Sequence, residues 1–155
     1  MREVNNTFLP VTGKIAIVAA RFNDFIVDRL IEGAKDVFFR QGLTPAQLTL
    51  LRVPGAYEIP FACQRLAKTQ HYQGIVALGA VIRGQTAHFE YVAGSCANGV
   101  LQASLQTDIP ITFGVITTEN LEQAIARAGA TVGNKGAEAA MALLELMSAL
   151  GHLHD

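Results

Sequence analysis

The sequence predicts an α/β fold: a parallel sheet covered on both faces by helices. Three observations carry that expectation. Short apolar runs without polar alternation, KIAIVAA and IVAL among them, read as strands buried on both sides. Between the runs lie longer stretches whose apolar residues recur every three or four positions, the period of a helix with one buried face. The two kinds of segment alternate, with short Gly- and Pro-marked connections.

In chain order, residues 1–13 are irregular or a short edge element, interrupted by Pro10 and Gly13. Lys14 to Ala20 is the first strand. Asn23 or Asp24 caps a helix that runs to about Arg40, with Ile26, Leu30, Ala34, Val37 and Phe38 on its apolar face and Gly42 ending it. Leu48 to Val53 forms the second strand, broken by Pro54-Gly55. AYEIP opens the second helix, with Pro60 in its first turn and Ile59, Ala62, Cys63, Leu66 and Ala67 as its stripe. The third strand follows Gly74 through Ile75 to Leu78 and feeds the stretch GAVIRGQTAHFEYV. There Phe89, Val92, Ala93, Cys96 and Val100 mark a third helix ending near Thr107. Asp108-Ile109-Pro110 turns into a fourth strand, Ile111 to Ile116. Thr117 or Thr118 then caps a helix with Leu121, Ala124, Ile125 and Ala128 on one side. Gly129 to Gly136 connects to a last helix carrying Ala137, Ala140, Met141, Leu144 and Met147. Right-handed crossovers in this order give one domain, 1–155, a three-layer α/β/α sandwich with a flavodoxin-like four-stranded parallel sheet.

Bulk properties narrow the function. The chain has 155 residues, 50% hydrophobic and 16% charged, with a formal net charge of −1. That balance gives no electrostatic footprint for nucleic acid or an anionic membrane. The positive mean hydropathy of +0.29 without an 18-residue apolar run points to buried subunit contacts and not to a membrane span. The N-terminus lacks the apolar core of a signal peptide, and Cys63 and Cys96 fall on apolar stripes as free thiols, both expected of a cytoplasmic protein. His71, His152 and His154 fall in a loop and a tail, and no cluster has metal-ligand spacing, so no metal is expected.

Ligands of such sheets bind beyond the carboxyl ends of the strands. Three of those ends carry unusual residues: Arg21-Phe22-Asn23, Gly55-Ala56-Tyr57-Glu58, and Arg83-Gly84-Gln85-Thr86-Ala87-His88. They offer rings for stacking, a carboxylate, a phosphate-friendly helix start and a base, an inventory suited to a planar heterocycle with a polar tail and a phosphorylated partner. Each has an ordinary alternative. Phe22 fits a staple on its own helix, Glu58 a favourable helix-dipole position, His88 a structural histidine, and Arg127 a solvated arginine. Neither G-x-G-x-x-G nor G-x-x-x-x-G-K-[ST] is present.

Taken together, ARFN, VPGAYEIP, GAVIRGQTAHFEYV and AGATVGNKGAEAA, in this order from about Lys14 to Met147, resemble the 6,7-dimethyl-8-ribityllumazine synthase family of riboflavin biosynthesis. The resemblance implies condensation of 5-amino-6-(D-ribitylamino)uracil with 3,4-dihydroxy-2-butanone 4-phosphate, with release of phosphate and water and no cofactor. It implies that Phe22 stacks on the pyrimidine and that the backbone of Ala80, Val81 and Ile82 reads its edge. Ala56, Tyr57 and Glu58 would hold the pyrimidine substrate, Glu58 through ribityl hydroxyls. Gln85, Thr86 and Arg127 would bind phosphate, and His88 would move protons. Phe113 and Lys135 would close the site from a neighbouring subunit. Ala80 stands where the family commonly has threonine, and Gln85 where smaller residues are common. Pentamers, a sixty-subunit shell suggested by the short GNKG connection, an N-terminal segment pairing with a neighbour, and riboflavin synthase as a partner also follow from the resemblance.

Overall fold

The computed structural model describes residues 1–4, 7–84, 88–129 and 133–154. Strand β1 (Lys14–Ala20) lies inside the sheet, between β2 (Leu48–Val53) and β3 (Tyr72–Ile82), and β4 (Ile111–Thr118) pairs with the far side of β3. All pairings are parallel, in the order β2-β1-β3-β4, the expected flavodoxin-like arrangement. β1 and β3 are inner strands, so their runs are apolar on both faces; β2 and β4 are edges.

Two separate apolar clusters flank the sheet. On one face, α1 (Asp24–Arg40), α4 (Leu121–Arg127) and α5 (Lys135–Gly151) pack Leu30, Phe38, Ala124 and Leu143 against Ile17, Val76 and Ile116. On the other, α2 (Ile59–Lys68) and α3 (Phe89–Thr107) pack Ile59, Cys63, Cys96 and Val100 against Val18, Ala77 and Val115. This alternation along each strand is the period-2 consequence of a sheet sandwiched between two helical layers. Burial pushes both thiols, Cys63 and Cys96, up to about 12. No described helix is long and apolar enough to cross a membrane.

Several boundaries differ from expectation, each for a local reason. β3 begins at Tyr72, before the apolar run, because Lys14 of β1 pairs with Tyr72 across a register shift. β4 continues to Thr118, and the cap of α4 is Asn120, whose Oδ1 accepts the Gln123 N–H at 2.9 Å. Helix α2 is preceded by a 3-10 turn, Ala56–Glu58, and α5 starts at Lys135 with Asn134 as its cap. Residues 7–13 form no strand within the chain. The Leu9 N–H donates to Ser148 Oγ at 2.9 Å, and the Gln47 amide donates to the carbonyls of Val11 and Gly13, so this segment runs past the C-terminal part of α5.

Candidate active site

The carboxyl ends of β1, β2 and β3 are tied into one platform. The N–H groups of Arg21 and Phe22 donate to the carbonyls of Val53 and Pro54 at 2.7 and 2.9 Å, joining the ends of β1 and β2. Asn23 adopts a left-handed conformation, with φ of 62°, and donates its amide to the Ala80 carbonyl at 2.9 Å, joining β1 to β3. Asn23 therefore does more than cap α1; its side chain makes no cap bond and spans two strand ends instead.

Phe22, 59% exposed, lies over Gly55. A Cβ there would stand 2.7 Å from Phe22 Cδ2, so the bare backbone of Gly55 is what admits the ring. Glu58 is held by one oxygen, which accepts the Gly55 N–H at 3.0 Å. Ala56 is buried beneath, and Tyr57 projects into solvent. Ala80 and Ile82 are buried at the end of β3, Val81 is partly buried, and His88 is exposed at the cap of α3, its carbonyl accepting the Val92 N–H at 2.9 Å. Gln85 and Thr86 lie outside the described residues.

Phe113, Arg127 and Lys135 are elsewhere, and they are together. All three line a cleft of about 500 Å³ along the outer edge of β4, with Thr112, Thr117 and Glu138. Phe113 is 41% exposed because β4 is an edge strand; the same residue on an inner strand would be core. Arg127, at the end of α4, donates to the Gln123 carbonyl at 3.1 Å, and Lys135 pairs with Glu138 at 3.3 Å. Phe113 shares a rung with Ala77 and Val18, two strands from β1 and four residues before Phe22. At ~4.8 Å per strand and ~3.3 Å per residue, the two phenylalanines sit on the order of 15 Å apart. That separation, measured between backbones, sets the platform and the cleft at different places on one chain.

Sequence reasoning missed the strand-spanning role of Asn23 and, among the cleft's polar residues, Thr112, Thr117 and Glu138. Asn23 reads as an ordinary cap, and its bond to Ala80 depends on which strands are neighbours. Glu138 had a readable signal, its position three residues after Lys135 at a helix start. Among the described residues, no three His, Cys, Asp or Glu side chains converge as a metal requires.

The family model for 6,7-dimethyl-8-ribityllumazine synthase matches residues 12–151. Among solved structures, a GDP-L-fucose synthetase from Naegleria fowleri bound to NADP aligns with a TM-score of 0.46 and 13% identity, over 92% of this chain and 46% of that one. A likeness at that level says nothing about this chain's chemistry.

Proposed function

The chain belongs to the 6,7-dimethyl-8-ribityllumazine synthase family, transferases of riboflavin biosynthesis, and we propose how its two groups of residues divide the reaction. The substrates are 5-amino-6-(D-ribitylamino)uracil and 3,4-dihydroxy-2-butanone 4-phosphate, and the site forms where the strand-end platform of one copy meets the β4-edge cleft of another. The single observation that carries this reading is the split itself: Phe22 and Glu58 meet at Gly55 on the strand-end platform, and Phe113, Arg127 and Lys135 line the β4-edge cleft.

The chemistry follows from what each group offers. Phe22 stacks on the pyrimidine, and the main chain of Ala80, Val81 and Ile82 reads its edge. The glycine-backed carboxylate of Glu58 takes ribityl hydroxyls, alongside Ala56 and Tyr57. Gln85 and Thr86, which precede α3 in the sequence, take the phosphate, with Arg127 of the second copy as a charge-assisted donor. The 5-amino group attacks the ketone carbonyl, water leaves and an imine forms. Loss of the proton on the neighbouring hydroxyl-bearing carbon then expels phosphate, the resulting enol becomes a new ketone at that carbon, the ribitylamino nitrogen closes on it, and a second water is lost. His88 accepts and returns protons in these steps, while Phe113 and Lys135 close the pocket. Each step is intrinsically accessible, so positioning supplies most of the acceleration.

The reading implies a homo-oligomer, and the family resemblance makes a pentamer, or a sixty-subunit shell built from pentamers, the expected assembly. Incubation of the protein with both substrates, followed by absorbance and fluorescence of the lumazine and by native mass, tests it. The expected result is lumazine formation by an oligomer. No product across pH, or full activity from a monomer, would refute the shared site.

A further inference from the structure

Arg83, the first residue beyond β3, makes contacts that the proposed reaction does not use. Its backbone N–H extends the ladder to β4, donating to the Thr118 carbonyl at 2.8 Å. Its guanidinium then sits between acids from two elements, with Nε 2.9 Å from Glu119 Oε2 and Nη2 3.3 Å from Glu90 Oε1. The guanidinium carbon lies 4.5 Å from the centre of the Phe89 ring. Glu119 is a firm anchor, because its N–H donates to Gln123 Oε1 at 2.8 Å and the Thr118 hydroxyl donates to the Asn120 carbonyl at 2.9 Å. Phe89 and Glu90, at the other end, lie in the first turn of α3, which His88 caps. Gly84, with φ of 92°, turns the chain sharply away between them.

We propose that Arg83 is a positioning residue, clamping the first turn of α3, and with it His88, to the β4–α4 turn. The inference rests on the reading above, in which His88 moves protons and the preceding loop takes phosphate. Both ion pairs are solvent-exposed and contribute little to folding. Their effect is geometric. With the clamp in place, the helix start is ordered before substrate arrives; without it, binding of the phosphorylated substrate carries the ordering cost. A lysine cannot reproduce the arrangement, since a point charge does not pair two carboxylates through a planar fork stacked on a ring.

Steady-state kinetics of Arg83→Ala, Arg83→Lys and Glu119→Gln, each substrate varied in turn, test this alongside melting midpoint and native mass. For Arg83→Ala, kcat/KM toward the phosphorylated substrate should fall ~10-fold or more through both KM and kcat. The KM for the pyrimidine and the melting midpoint should stay in place. Arg83→Lys should recover only part of the loss, and Glu119→Gln should show a smaller loss of the same kind. Unchanged kinetics, equal effects on both substrates, or full rescue by lysine would overturn the clamp. If Arg83→Ala does not fold, Glu119→Gln decides alone by the same criteria. If the unaltered protein does not turn over the pair, the functional reading fails instead. Amide exchange at residues 88–92 then decides the clamp: faster exchange in the variants supports it, and unchanged exchange removes it.

Discussion

The strand-end platform and the β4-edge cleft differ in what holds them in shape. On the platform, aromatic side chains rest on turns: Phe22 leans on Gly55, Tyr57 stands in solvent, and hydrogen bonds from Asn23 and Phe22 stitch the strand ends. The cleft is backed by main chain packed on main chain. A Cβ at Gly136 would overlap the Leu30 carbonyl, and one at Gly33 would overlap the Asn134 amide. Asn134 in turn caps α5 through the Ala137 N–H at 3.0 Å and donates to the Arg29 carbonyl at 3.0 Å. These contacts hold α5, the helix that lines one side of the cleft, firmly against α1, whereas Phe22 and Tyr57 on the platform are exposed. A site shared between copies, as proposed, would join a rigid half to an adaptable one.

The largest effect that would sharpen this contrast is on the rigid side. Gly136→Ala forces backbone against backbone, so a loss of ~3 kcal/mol or more is expected, read as a collapse in melting midpoint or soluble yield. A normal midpoint would show that the α1–α5 contact yields after all. Next comes Arg127→Ala, which removes a charge-assisted donor worth ~1.5–3 kcal/mol. The KM for the phosphorylated substrate should rise ~10–100-fold, and an unchanged KM would remove Arg127 from the site. His88→Ala should cost ~10²-fold in kcat or somewhat less, the low end for acid–base catalysis. Co-assembling the Arg127→Ala and His88→Ala chains probes the division itself. About one interface in four would then join two intact halves, so activity should rise well above either parent. No rise would place both groups in one site of one chain. The smallest effect is on the adaptable side. For Gly55→Ala, Phe22 can rotate from the new Cβ, so a loss under ~1.5 kcal/mol in pyrimidine affinity is expected, with the melting midpoint in place.

The same contrast explains what could be read from the chain. The strand β1 and the strand β2 fall where the apolar runs place them, and the stripes of α1 and α2 bury Leu30, Phe38, Ile59 and Cys63 as their spacing requires. Phe22 stood out as an aromatic directly after a buried strand, and Glu58 as a carboxylate at a helix start beyond a strand end. The cleft was far less legible. Phe113 inside an apolar run looks like core until the strand order makes β4 an edge, and Arg127, off its helix's apolar stripe, looks like a solvated cation until Phe113 and Lys135 are found beside it. Strand order is a long-range property, set by crossovers and not by any local pattern. The bond from Asn23 to Ala80 and the clamp at Arg83 were hidden for the same reason.

The two thiols between the sheet and the α2–α3 layer have a practical consequence. Cys63 and Cys96 are fully buried, and with both pushed up to about 12 they hold almost no thiolate at neutral pH. An alkylating fluorophore should pass them by, while a cysteine placed at an exposed position should react at its ordinary rate. A single engineered cysteine on the cleft rim, such as Thr117→Cys, could thus carry one dye per copy with both native cysteines kept, making the meeting of two subunits visible by energy transfer.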